Sequence, residues 1–337
     1  MLITAVFILL GVFAAGFVAR CEPFLVLGLM LLIGLPHGAT DHGLFLQLQG
    51  KKQTSKKNNF YLIYLGIIGL YAAVWYVFPV VAFAIFMLLS VYHFGQSNWV
   101  DVKYKSRLSA TMHYLLWGSG ILLTPILLHS PEAIMIVHSM TGTELSALPY
   151  DSVLLIIGTI AVVNGISILW LTGTKMLDKS RALQEVIAYA LLIGVFFTNS
   201  LLLGFTVYFV FWHSLTSAHD QFLFFKRRLS PQLRRQLFGE VVMTVVGALV
   251  FCLIVWFGPG PEAALQPAII GGVFIMISLL TMPHMLLVEQ LYASWSPVAN
   301  SPENQAVIRA GKTNKVNQIP SRPNTSSFVS EGAALTH

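Results

Sequence analysis

The sequence predicts an all-α fold: a polytopic integral membrane bundle of about ten transmembrane helices. Of its 337 residues, 56% are hydrophobic and only 10% are charged, where a soluble domain carries roughly 25% charged residues. Apolar runs near the ~20 residues needed to cross a bilayer recur along most of the chain. Together these observations exclude a disordered or fibrous chain, a secreted disulfide scaffold and a soluble nucleic-acid binder. Cys21 and Cys252, the two cysteines, are far apart and lack metal-type spacing.

The apolar segments run roughly 3–19, 23–47, 60–78, 79–98, 109–129, 152–173, 183–199, 200–225, 238–258 and 267–293. The first has the length of a signal peptide but no positive leading region and no small-x-small cleavage site, so it reads as a retained helix. The second, eighth and tenth are long and carry polar residues near one end, as tilted or functional helices do. Pro79, Pro125 and Pro283 fall near ends or bends.

Charge placement supports this segmentation. Lys51, Lys52, Lys56 and Lys57 share one loop; Lys103, Lys105 and Arg107 share the next basic one, followed by Lys175, Lys179 and Arg181. Then come Lys226, Arg227, Arg228, Arg234 and Arg235, and finally Arg309, Lys312, Lys315 and Arg322 in the tail. Arg20 is the one basic residue outside these groups, which fall in every second loop; Glu22, Glu132, Glu144, Asp151 and Glu262 occupy the others. Under the positive-inside rule both termini are cytoplasmic, in a multi-pass protein of the cell (inner) membrane. Residues 1–295 form the bundle, with no internal repeat and no separate soluble domain. Residues 296–337, rich in Ser, Pro, Asn and Thr, read as a disordered cytoplasmic tail.

Against this background the histidines stand out, because ionisable residues at bilayer depth are costly. His113, His129, His138 and His337 read as surface or interfacial. The other six lie on four even-numbered segments: His37 and His42 in GLPHGATDHG, His93 in VYHFGQSNW, His213 and His219 in FWHSLTSAHDQ, and His284 in TMPHMLLVEQ. His37 and His93 are each 14 residues into their segments, His213 is 13 and His284 is 17. At 1.5 Å per residue all four lie ~20–26 Å from the outer end. Single imidazoles projecting from several helices at one level are how a bundle builds a metal site; the plainer reading gives each one an interhelical hydrogen bond. On a regular helix His42 is turned 140° from His37 and His219 240° from His213. They reach the same face only if Pro36, Gly38 or a wide turn changes the local winding. Asp41 and Asp220 could orient imidazoles by accepting their second N–H, or serve as interfacial charges.

An all-histidine donor set suits iron, zinc or copper rather than magnesium or calcium. The H-E-x-x-H, Gly-rich phosphate-loop and G-x-S-x-G patterns are absent, as is a mid-membrane lysine for a retinal Schiff base. Two rivals remain: a transporter or proton-relay protein with the His and Asp residues along its path, and a bis-His haem electron carrier.

Taken together, G-L-P-H-G-A-T-D-H at 34–42, Y-H-F-G at 92–95, W-H-S at 212–214 and P-H-M at 283–285 resemble the Brp/Blh family of bacterial and archaeal β-carotene 15,15'-dioxygenases. The likeness covers about residues 24–293. It implies a membrane-embedded non-haem Fe(II) enzyme that uses O₂ to split β-carotene centrally into two all-trans-retinal, commonly to supply a rhodopsin. By position His37, His93 and His213 match the family's metal ligands. The family's fourth ligand lies four residues after the third; here that residue is Ser217. The fourth ligand is then His284 by depth or His219 by proximity, or the site has three histidines and water. Asp41, His42 and Ser217 are the surrounding polar candidates.

The chemistry agrees with a bilayer setting. β-Carotene dissolves in lipid, neutral histidines leave iron open positions for O₂, and neither a protein nucleophile nor a general base is required. Tyr92, Phe94, Phe209, Phe211 and Trp212 adjoin the histidines and could line a polyene slot, although aromatics in membrane helices are more often packing.

Overall fold

A computed structural model describes residues 1–48, 57–258 and 266–295. Every regular element of the described residues is helical: α1 (Leu2–Phe13), α2 (Ala15–Leu29), α3 (Asp41–Leu48), α4 (Lys57–Val77), α5 (Pro79–Trp99), α6 (Arg107–Leu128), α7 (Ser130–Thr141), α8 (Tyr150–Gly173), α9 (Lys179–Thr198), α10 (Leu201–Tyr208), α11 (Leu215–Arg228), α12 (Pro231–Phe257) and α13 (Pro267–Trp295). Two stretches depart from α geometry. Between α2 and α3 the chain makes a wide π turn, Met30–Gly34, and then a tight 3-10 stretch, Leu35–Thr40. Between α10 and α11 it makes a second π turn, Phe209–Ser214.

Among the described residues nine helical stretches are long and apolar enough to cross a membrane: Ala15–Leu48, Phe60–Val77, Pro79–Trp99, Arg107–Leu128, Tyr150–Gly173, Lys179–Thr198, Leu201–Phe225, Pro231–Ile254 and Pro267–Tyr292. Large apolar side chains of these stretches, such as Leu62, Tyr76, Leu155, Leu169 and Ile254, are exposed, which a hydrocarbon solvent accommodates and water does not.

The amino-terminal segments differ from expectation. The chain breaks at Ala14 (φ −136°, ψ 34°), not near residues 20–22, so α1 is 12 residues long, or ~18 Å at 1.5 Å per residue, too short to span. Arg20 to Glu22, expected as a loop, lie inside α2, where Ser200 donates to the Glu22 carboxylate. A second difference is α7, twelve residues of the expected outer loop that bury Ala133, Ile136 and Met140 against the neighbouring α13 and α5. A third is α12, which begins at Pro231 rather than near 238. The expected tail, 296–337, lies outside the described residues.

Local chemistry sets the remaining boundaries. Pro79 and Pro231 occupy first-turn positions, where the missing N–H costs nothing. Ser106, Ser200 and Ser230 cap α6, α10 and α12 by accepting from the backbone N–H three residues on. Gly142, at φ +68°, ends α7 in the left-handed conformation that glycine adopts without strain.

The centre of the bundle is α10, the π turn and α11, the most enclosed of the nine spans. The most extensively packed helix pair is α5–α6. A Cβ at Gly95 would collide with the Tyr114 carbonyl, and one at Gly118 with that of Val91. Two glycines therefore let the backbones touch, as small residues do between membrane helices. That contact fixes the inner half of α5, whose buried residues from Ser90 to Trp99 include His93.

Candidate metal centre

Three imidazoles from three helical segments meet at the middle of this scaffold. His93, on α5, stands edge to face with His213 at 4.9 Å between ring centroids and 74° between planes. On its other side it meets His284 of α13 at 6.0 Å and 80°. All three are buried, with 3–5% of their surface exposed. Three uncompensated imidazoles would be an expensive core in an apolar bundle, so their partners decide what the cluster can do.

His213 lies within the Phe209–Ser214 π turn, where the extra residue re-aims the side chains that follow. Phe209 stacks on it at 5.6 Å and 27°, and Phe94 closes the other side at 4.9 Å and 72°. Its Nδ1 is 3.3 Å from Ser97 Oγ, one turn beyond His93. Ser97 donates its own proton to the Phe94 carbonyl at 3.0 Å, so its oxygen accepts from Nδ1–H. That assignment leaves Nε2 as the lone-pair nitrogen.

His284 has an ionic partner. Asp41 Oδ1 accepts from its Nδ1 at 2.7 Å, and Asp41 Oδ2 accepts from Tyr64 O–H at 2.9 Å. The hydrogen-bonded carboxylate fixes the same tautomer, with Nε2 carrying the lone pair.

The backbone of His37 sits in the Leu35–Thr40 stretch; its side chain is outside what the structure describes. Its neighbour Gly38 faces His284, since a Cβ there would lie 3.9 Å from His284 Nδ1. The residue expected as first ligand thus belongs to a backbone stretch beside the cluster. That 3-10 stretch follows a π turn and precedes α3, so the regular-helix angle from His37 to His42 does not apply. The change does not bring His42 to the cluster's rings. Its Nδ1 is 3.5 Å from Glu240 Oε1 on α12, and its ring packs on Phe60 and Tyr61 of α4. His219 is half-buried on α11, and Ser217 and Asp220 are each 3% exposed. Thr40 donates to Gln221, tying the 3-10 stretch to α11.

The aromatic candidates separate. Phe94 and Phe209 pack on His213, whereas Phe211 pairs with Phe7 at 6.4 Å and Trp212 Nε1 donates to Thr4 Oγ1 at 2.8 Å, both on α1. Tyr92 enters a network that sequence reasoning missed: Gln96 donates to Glu289 at 2.6 Å and to Tyr92 O–H at 3.2 Å. This network joins α5 and α13 one turn past His93 and His284. An acidic residue late in an apolar segment was the available signal for Glu289. Tyr64 and Ser97 gave none, because neither type is unusual in a membrane helix.

The donor set has the chemistry of a transition-metal site. It comprises buried imidazoles, two with their Nδ1 protons engaged, and one backed by a carboxylate. Imidazoles sharing one ion at ~2.1 Å have centroids about 4.5–6.4 Å apart, the range of the two separations seen. Among the described residues no three His, Cys, Asp or Glu groups are close enough together to hold one ion.

The profile of the family described as beta-carotene 15,15'-dioxygenase matches residues 28–292. A protein of that name from the uncultured marine bacterium 66A03 is 24% identical over 272 residues, covering 79% of this chain and 92% of its own. No solved structure matches. The matched stretch contains every histidine of the cluster and excludes α1.

Proposed function

Because the chain belongs to the beta-carotene 15,15'-dioxygenase family, we propose that it is a membrane-embedded dioxygenase cleaving β-carotene at its central double bond. The balanced reaction is C₄₀H₅₆ + O₂ giving two C₂₀H₂₈O: the 15,15' bond breaks and each carbon becomes the aldehyde carbon of an all-trans-retinal. The observation that carries this reading is the ring contact of His93 with both His213 and His284, buried at the centre of the family-matched segment.

In this reading His37, His93, His213 and His284 hold Fe(II), whose contribution is to bind and activate O₂. The protein's own residues do the rest. Ser97 and Asp41 keep Nδ1 protonated on His213 and His284, so that Nε2 of each is available as a donor. Phe94 and Phe209 hold the His213 ring and help keep water from the reacting polyene. The polyene, insoluble in water, reaches the site from lipid. The protein is accordingly placed in the cell membrane with its basic loops cytoplasmic, supplying retinal to a rhodopsin-type acceptor.

The test is expression in cells that accumulate β-carotene, with chromatography for retinal and metal analysis of the purified protein. Retinal with about one iron per chain is expected. Retained β-carotene without an apocarotenal product, in membranes verified to contain the protein, would refute the reaction. Absence of bound metal would refute the site.

A further inference from the structure

Ser217 stands where the resemblance places a fourth imidazole, which leaves the fourth donor position to another residue or to water. We infer that a hydrogen-bonded chain from Tyr64 through Asp41 positions His284 as the donor that replaces it. This inference rests on the metal reading of the site given above. Tyr64 and Asp41 are positioning residues.

The geometry makes the case. Asp41 and His284 are buried, 3% and 5% exposed, and a carboxylate withdrawn from water is tolerated only when its oxygens are engaged. Each oxygen has a donor from a different helix: Oδ1 takes His284 Nδ1–H of α13 at 2.7 Å, and Oδ2 takes Tyr64 O–H of α4 at 2.9 Å. Three helices therefore converge on one carboxylate. The ring it holds lies 6.0 Å from His93, centroid to centroid, and its Nδ1 is taken by Asp41, so Nε2 is the nitrogen that would serve as donor. Asp41 is also four residues from His37, so the stretch that supplies one expected ligand supplies the group that orients another.

This arrangement changes where the donors come from. The family pattern draws two donors from one helical segment, at 213 and 217. Here α11 keeps a hydroxyl at 217, and α13 contributes the imidazole instead. The carboxylate matters more for such a replacement than for an original ligand. His284 follows Pro283 on a helix that packs against α4, α7 and α5, and Asp41 is hydrogen-bonded to its ring.

The test titrates Co(II) into metal-free full-length protein in lipid nanodiscs, following the visible ligand-field bands, and needs no turnover. Replacing outer partners of metal-bound histidines weakens metal affinity by about 10–100-fold, and Asp41→Asn is expected to do so here. Asp41→Glu should recover most of the loss, and Tyr64→Phe should weaken binding by a few-fold while leaving the melting temperature of the metal-free protein close to wild type. His284→Ala should alter the band pattern itself, because a donor is lost. Wild-type affinity and spectrum in both Asp41→Asn and His284→Ala would overturn the inference. If Asp41→Asn does not fold, Tyr64→Phe decides: unchanged affinity there refutes the chain. Wild-type protein that binds Co(II) stoichiometrically but makes no retinal refutes the proposed reaction and leaves this inference standing. Normal retinal formation by His284→Ala does the reverse.

Discussion

The two ends of the imidazole cluster are supported by opposite means. His213 sits in a π turn, gripped by Phe94 and Phe209, and its Nδ1 meets a neutral hydroxyl at 3.3 Å. His284 lies on a continuous α-helix, and its Nδ1 meets a buried carboxylate at 2.7 Å that a tyrosine also holds. One ring is oriented by packing and the other by charge-assisted hydrogen bonding, which is roughly twice as strong as the neutral kind. His93, on the rigid inner half of α5, touches both. The side built on the π turn should therefore be sensitive to shape, and the α13 side to charge.

The largest test removes what the two sides share. His93→Ala deletes the ring in contact with both others, and retinal formation is expected to fall to background with bound iron lost, measured by chromatography and metal analysis. Activity near wild type would mean that the two sides do not meet through His93. Asp41→Asn follows on the charged side, with the loss of metal affinity given above. The shape-dependent side is probed through its scaffold. Gly95→Ala drives a methyl into the Tyr114 carbonyl and should cost about 1–3 kcal/mol, the range for overpacking, read as a lower thermal midpoint in detergent. Gly66→Ala on α4 has open space around it and should be neutral or stabilising by up to ~1 kcal/mol. Equal midpoints for the two variants would show that the α5–α6 contact is not what holds His93.

Much of the bundle was legible because its signals are additive. Apolar length and the scarcity of charge mark spans wherever they occur, and Pro79 sits at the α4–α5 boundary the sequence assigns. The failures have local causes. Arg20–Glu22 carries two charges just before a proline, the marks of a loop, yet remains helical with Glu22 bonded to Ser200, a partner far away in sequence. Helix α7 is too short and too mixed to register as a span. Matched depth pointed to His37, His93, His213 and His284; His93 meets the last two, and the His37 side chain lies outside the described residues. Rotational phase set His42 apart from the cluster, and its ring does pack elsewhere, on Phe60 and Tyr61, although a π turn and a 3-10 stretch replace the regular winding before it. No periodicity argument reaches Tyr64 or Ser97: both are ordinary membrane residues whose significance comes only from the atom opposite them.

The smallest expected effect is the sharpest check on the comparison. Ser97→Ala removes the acceptor from His213 Nδ1 but leaves Phe94 and Phe209 holding the ring. A neutral hydrogen bond contributes about 0.5–1.5 kcal/mol, so Co(II) affinity should fall only about 2–10-fold. That is less than for Asp41→Asn, in the same nanodisc titration. Ser97→Thr keeps the hydroxyl and should lie near wild type. If Ser97→Ala instead weakens binding as much as Asp41→Asn does, aromatic packing does not set the His213 ring, and the two ends of the cluster depend on their polar partners alike. If it has no effect at all, the π turn and its aromatics alone suffice to orient that imidazole.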